Sequence, residues 1–270
     1  MINAYGTDPV SAIAESEATG EVAEIFADIR ATMEIPMLTS IWRTLVAVDG
    51  GLRAGWAAAK PLYLTGIPAA ALARVIDGAD LPIPESRIDV GLPTTELAAV
   101  RAIVEAYNRS NGMNMIALTA LVVMPDAAAL DDTRAASPAP WPVLRPLPTA
   151  DEIDADTWAL LQDINRFGGG SGALATLWRH LADWPGLLAA IHAGFTPLQD
   201  SGAIRYAMQR VHDLGRDEAA RLAILHPEPV VLPDAARQMI SCYVATPTVV
   251  GRMVTLGHIL GGWLDPTARC

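Results

Sequence analysis

Two short stretches of this chain repeat each other in order. Ser40-Ile41-Trp42-Arg43-Thr44-Leu45 returns as Thr176-Leu177-Trp178-Arg179-His180-Leu181, and at the same spacing Gly50 answers Gly186, Leu52 answers Leu188 and Tyr107 answers Tyr243. Asp28-Ile29 and Asp163-Ile164 keep the order at a spacing one residue shorter, which puts one inserted residue in the glycine-rich stretch between them. Matches spread along that much chain point to a duplicated unit. The expectation is an all-α pseudo-dimer, with a repeat over 1–130, a proline-rich linker over 131–150 and a second repeat over 151–270. Such a molecule keeps a natural site in the cleft between its halves.

Local patterns agree with helices. Alanine and leucine dominate, and runs alternating β-branched with polar residues are nearly absent, so helix is favoured over strand. Val22, Ile25, Phe26 and Ile29 recur at three- and four-residue spacing, which predicts an amphipathic helix over 21–33 that ends before Pro36. Further helices are expected over 37–48 and from Gly51 to Leu64, with a loop over 80–93. Thr95 is placed to cap a helix over 96–107, and the polar stretch 108–114, with Gly112, is read as an interruption before an apolar helix over 115–124. Pro138, Pro140, Pro142, Pro146 and Pro148 exclude helix from the linker and favour an extended course along the surface. Beyond it, helices are expected over 155–167, 174–182 and 185–195, then two longer ones, the last broken at Pro247.

Composition excludes several functions. A formal net charge of −11 repels phosphate backbones and anionic lipid heads, so neither nucleic acid nor a membrane is an expected partner. The longest apolar stretch, from Met113 to Pro125, is too short to span a bilayer. Glu15, Glu17 and Glu21 spoil any signal-peptide pattern, and the cytosol is the expected location. Cys242 and Cys270 give neither a disulfide framework nor a metal spacing. The glycines at 168–170 lack the strand before and the Gly-Lys-Ser/Thr after that a phosphate loop needs, so a mobile turn is expected there. No metal and no cofactor is expected.

Collinear motifs run through most of the chain: Gly20-Glu21, Asp28-Ile29-Arg30, Ile35-Pro36, Tyr107-Asn108-x-x-Asn111 and Leu181-Ala182-Asp183-Trp184-Pro185. In this order they resemble the group I 2-haloacid dehalogenases. The resemblance implies an all-helical pseudo-dimer with a buried site between its halves. It also implies direct displacement of halide from the α-carbon of a short 2-halocarboxylate by an activated water, without covalent intermediate or cofactor. On this resemblance the asparagine that holds the attacking water falls on Asn111, the cleft tyrosine on Tyr243, and the arginine after the first-half aromatic pocket on Arg43. The family's Ser-Asp pair, whose aspartate activates the water, falls on Thr176-Leu177, so leucine stands where the base is expected. Met37 and Ser40 replace bulky pocket aromatics, and Asn114 a pocket tyrosine.

Leucine can neither accept a proton nor hold a water, so a member of this family built on Leu177 must work differently. Asn111 next to Gly112 also suits simple helix capping, Arg43 and Arg179 suit an ion pair, and Trp42 and Trp178 suit core packing. Among the histidines only His180, one helical turn from Leu177, is placed to act as a base. The expected function is displacement of halide or sulfate at a saturated carbon of a small organic substrate. Asn111, Thr176, Tyr243 and Arg43 would orient the substrate and stabilise the departing anion, with Met37, Ser40, Asn114, Leu177 and His180 lining its pocket. If the substrate carries its own nucleophile, the product is a small ring such as an aziridine or epoxide made in a biosynthetic pathway. Hydrolysis of a haloacid or strained ring, and non-catalytic binding of a small molecule, are the alternatives. A small partner subunit or a second copy of the chain remains open as a partner.

Overall fold

The computed structural model describes residues 12–86, 88, 91–126, 130–170, 174–226 and 230–265. Every regular element among them is helical: α1 (Gly20–Met33), α2 (Ser40–Leu45), α3 (Gly51–Leu64), α4 (Ile67–Ala79), α5 (Thr94–Ala120), α6 (Ala155–Asn165), α7 (Thr176–His180), α8 (Pro185–Asp200), α9 (Ala203–Leu222), α10 (Asp234–Val244) and α11 (Arg252–Leu264). The expected all-α class is therefore observed. Residues 130–149 take no regular structure, as their prolines dictate. No single described helix is long and apolar enough to cross a membrane.

The main departure from expectation is α5, one helix of 27 residues where a break over 108–114 was expected. Its polar residues do not break it because other helices satisfy them. Asn108 Nδ2 donates to the Gly257 carbonyl at 3.0 Å, and Asn114 is bonded on three sides. Gly112 is there for close packing: a Cβ at that position would come within 2.3 Å of Leu72. The helix starts at Thr94 behind Pro93, with no side-chain cap, so Thr95 does not cap it. The sequence reading also missed α4 and overestimated α2 and α7, each of which is little more than one turn. Thr39 and Ala175, in extended backbone, delay the start of these two helices.

Two apolar cores lie along α5. Its C-terminal half, through Met113, Ile116 and Leu118, packs with Phe26, Trp42, Trp56, Leu222 and Ile240. Its N-terminal half, through Val100, Ile103 and Tyr107, packs with Trp158, Trp178, Leu188, Phe195 and Trp263. Each core thus draws residues from both sides of the proline-rich stretch. Trp42 and Trp178 are fully buried, one in each core. The last helical region bends by 53° between α10 and the Pro247–Leu264 segment, where Thr246 is extended and Pro247 opens a wide turn. That bend brings Tyr243 and Arg252 to one place.

A cationic chamber beside a larger cleft

An inner chamber of about 350 Å³ forms where the start of α2, the middle of α5, the glycine turn, the start of α7, the end of α10 and the start of α11 converge. Ser40, Asn111, Thr176, Leu177 and Tyr243 all line it, although they come from distant parts of the chain. Leu177 is buried in its wall. Among the described residues no carboxylate and no histidine lines this chamber. Nor is any group of His, Cys, Asp and Glu among them arranged to hold a metal ion.

Arg252, which the sequence reading did not select, supplies the chamber's charge. It is 7% exposed; Nη1 donates to the carbonyls of Asn165 at 2.9 Å and Phe167 at 3.3 Å, and Nη2 to Asn165 Oδ1 at 3.4 Å. Its Nε is buried without a partner, and it forms no ion pair among the described residues. Burial pulls its pKa down to about 10, so the guanidinium stays charged at neutral pH. The glycine turn exists to hold this side chain. A Cβ on Gly170 would fall 1.9 Å from the Asn165 carbonyl oxygen and 2.5 Å from Arg252 Nη1, and Gly168 adopts φ +69° with Met208 and Arg252 against it. Glycine alone fits there. Ser171, Gly172 and Cys270 lie outside the described residues.

Met37, Arg43 and His180 lie instead on a second, larger cleft of about 890 Å³, bounded by residues 12–17, the turn after α1, α7 and the proline-rich stretch. Tyr107 and Leu174 line both cavities and form the boundary between them. The Tyr107 hydroxyl is 3.3 Å from His180 Nδ1, and His180 Nε2 is 2.6 Å from the Arg145 carbonyl oxygen. A carbonyl only accepts, so Nε2 carries the imidazole proton and Nδ1 offers its lone pair to the phenol. Burial is the main cause that holds His180 below its ordinary pKa, which keeps it neutral. Burial also pushes Tyr107 up to about 12, while the neighbouring Thr176 hydroxyl and the charges of Arg43 and Arg179 pull it back down. Tyr107 and His180 thus form a desolvated donor–acceptor pair at the mouth of the chamber.

Asn114 lies on neither cavity. It is fully buried, with Oδ1 accepting from Trp42 Nε1 at 3.1 Å and from the Tyr63 hydroxyl at 2.8 Å, and Nδ2 donating to Thr39 Oγ1 at 2.7 Å. Its place is behind the chamber wall, where it fixes Thr39. The Tyr243 hydroxyl sits near the same amide without meeting hydrogen-bond geometry, and burial holds its pKa far above the usual phenol value. Arg43, expected to suit an ion pair, has no carboxylate partner among the described residues; its Nη1 makes a long 3.4 Å contact to the Ile13 carbonyl. Tyr107 enters the sequence analysis as a repeat match and as part of the Tyr107-Asn108-x-x-Asn111 motif but with no role of its own, and no motif marks Arg252.

No protein-family model and no curated protein matches the sequence. Solved structures do match. A D-2-haloacid dehalogenase mutant in complex with D-2-CPA aligns at 16% identity over 94% of this chain and 96% of that one, with a TM-score of 0.67. D-2-haloacid dehalogenase with L-LA aligns at 16% identity over 94% and 97%, with a TM-score of 0.68. A further mutant of such a dehalogenase aligns at 18% identity over 93% and 97%, with a TM-score of 0.67. Across nearly its whole length, then, this chain has the all-α fold of the D-2-haloacid dehalogenases.

Proposed function

We propose that this protein catalyses displacement of an anionic leaving group from a saturated carbon of a small organic substrate, with the nucleophile supplied by the substrate so that a small ring closes. The observation that carries the reading is Arg252: a buried guanidinium, unneutralised by any carboxylate among the described residues, in a chamber lined by Asn111, Thr176 and Leu177. A buried charge left unpaired is costly, and an anion formed in the chamber offsets that cost at the moment it departs. The step balances simply. An amine or hydroxyl lone pair forms the new bond to carbon, and the bond from carbon to sulfate or halide breaks with its electron pair leaving on the anion. The nucleophile's proton passes to Tyr107 as the phenolic proton moves to His180 Nδ1. Holding nucleophile and carbon in contact contributes several kcal/mol to such a reaction, about 7 at the low end for well-aligned groups. No cofactor enters this scheme.

A hydrolytic reading uses the same chamber with water as nucleophile, and the fold shared with D-2-haloacid dehalogenases together with the Tyr107–His180 pair favours it as the runner-up. One experiment separates them. The protein is incubated in ¹⁸O-water with 2-aminoethyl hydrogen sulfate and with both enantiomers of 2-chloropropionate, and released anion and organic product are measured. Sulfate release with aziridine free of ¹⁸O is the expected result. Label in the organic product moves the assignment to hydrolysis, and retention of every compound unchanged overturns both.

A further inference from the structure

In the proposed displacement the larger cleft contributes only Tyr107 and His180, at its boundary with the inner chamber. It adjoins the inner chamber of about 350 Å³ along Tyr107 and Leu174, and it has a charge of its own. Arg43 is 9% exposed, its Nε is buried without a partner, and among the described residues its hydrogen bonding is limited to the long contact with the Ile13 carbonyl. Neither carboxylate that lines the cleft bonds to Arg43. Glu15 accepts from Arg30 and, at 2.6 Å, from the Leu38 amide, and Glu17 accepts from the Ala14 amide at 3.0 Å. Arg145, across the cleft, is already matched by Glu96 and Asp183. Arg43 is therefore a buried cation on this wall with no carboxylate partner among the described residues. Met37, Trp141, Leu144 and Trp158 supply apolar surface to the same cleft, whose lining also includes Ser16, Thr149, Arg179 and His180, and Trp141 is fixed by a 2.9 Å bond from its indole to the Glu34 carbonyl.

A buried guanidinium that lines a cleft alongside apolar surface suits the carboxylate of an organic acid, which a guanidinium binds by paired charge-assisted hydrogen bonds. We infer that the outer cleft is a second binding site that takes the carboxylate of an organic acid on Arg43 and lays the acid's aliphatic portion along the walls toward Tyr107. Combined with the proposed displacement, on which this part rests, the substrate class is an elongated acid. Its carboxylate sits on Arg43, and its far end, past Tyr107, presents the reacting carbon to the inner chamber. Arg43 thus acts as a binding group distant from the departing anion, which belongs to Arg252.

The test uses binding alone. Hexanoate and its neutral isostere hexanamide are titrated into the full-length protein by calorimetry. Hexanoate is expected to bind at least tenfold more tightly; Arg43→Gln removes that preference, Arg43→Lys keeps part of it, and Arg252→Gln leaves it intact. Equal binding of the two compounds, absence of hexanoate binding, or loss of the preference in Arg252→Gln instead of Arg43→Gln overturns the inference. Should Arg43→Gln fail to fold, the wild-type comparison and Arg43→Lys decide it. Turnover plays no part, so an intact hexanoate preference in a protein that releases no anion sinks the displacement reading and leaves this site standing, and the reverse result does the opposite.

Discussion

Tyr107 and His180 meet edge-on at the boundary between the two cavities, with ring planes at 90°, centroids 5.8 Å apart and the hydroxyl 3.3 Å from Nδ1. The Arg145 carbonyl fixes the imidazole tautomer from the other side, and Arg179 and Asp183 act on its charge in opposite senses. A base of this kind works only when neutral. Because burial holds His180 below its ordinary value, the acid limb of kcat/KM is expected below pH ~6.5. Tyr107→Phe is expected to lower kcat about 100-fold or more, and His180→Gln to remove the acid limb. pH–rate profiles of the three proteins check this.

Leu177→Asp places a carboxylate in the chamber wall near Asn111. It is expected to cost about 2 kcal/mol or more in stability, as burial of a charge at an apolar position does. It is also expected to release chloride from 2-chloropropionate with solvent oxygen in the product, a reaction absent from the wild type. Chloride assay and mass spectrometry in ¹⁸O-water measure both.

The glycine turn separates two kinds of glycine. At Gly169, with φ +80° and nothing within 4 Å of an added Cβ, alanine is expected to cost only the left-handed backbone term of about 1–2 kcal/mol. At Gly170 the new methyl would strike both the Asn165 carbonyl and Arg252, and about 2–4 kcal/mol is expected, together with weakened sulfate binding. Denaturant titrations and calorimetry on the two variants give the comparison.

Asn114→Leu leaves the Trp42 indole, the Tyr63 hydroxyl and the Thr39 hydroxyl without their shared partner in a dry core. A loss of about 3 kcal/mol or more is expected, since each stranded group forfeits its desolvation. The change is read as a lower denaturant midpoint with an unaltered slope.

His258 predicts the acid stability of the whole molecule. Burial lowers its pKa to about 4, while its Nδ1 meets the Val254 carbonyl at 2.8 Å. The unfolded chain therefore binds a proton from about pH 6.5 downward that the folded chain refuses until about 4. Its contribution is fully present above pH ~6.5 and is lost progressively as pH falls to about 4, by roughly 3 kcal/mol. His180, His212 and His226 are shifted in the same direction by burial. Thermal midpoints measured from pH 7 to pH 4 should fall steadily, and His258→Phe should flatten that fall.

The helical class was legible because alanine-rich segments, proline stops and apolar stripes are local signals. The chamber was legible in part: Ser40, Asn111, Thr176, Leu177 and Tyr243 do line one cavity. No local rule brings those residues together, and only the collinear motifs pointed to them. What failed failed for a tertiary reason. Asn108, Asn111, Gly112 and Asn114 look like a helix break in one dimension, whereas in three Asn108, Gly112 and Asn114 meet Gly257, Leu72, Trp42, Tyr63 and Thr39 from other helices. Arg43 and Asn114, both expected at the reaction site, stand one in the outer cleft and one behind the wall, because a repeat position does not say which side of a short helix faces a cavity. Arg252 had no signal at all, since its significance lies in the turn from Gly168 to Gly170, which approaches it from far along the chain.

The continuity of α5 governs how this molecule comes apart. A rod of 27 residues, roughly 40 Å long, contributes one end to each core. Neither core can melt without stripping apolar partners from the helix that the other still needs, so the two are coupled into a single cooperative unit. Heating is expected to give one calorimetric transition, and a chain cut within residues 130–149 is expected to hold its fragments together as a complex, because the shared rod, not the covalent join, makes them one body.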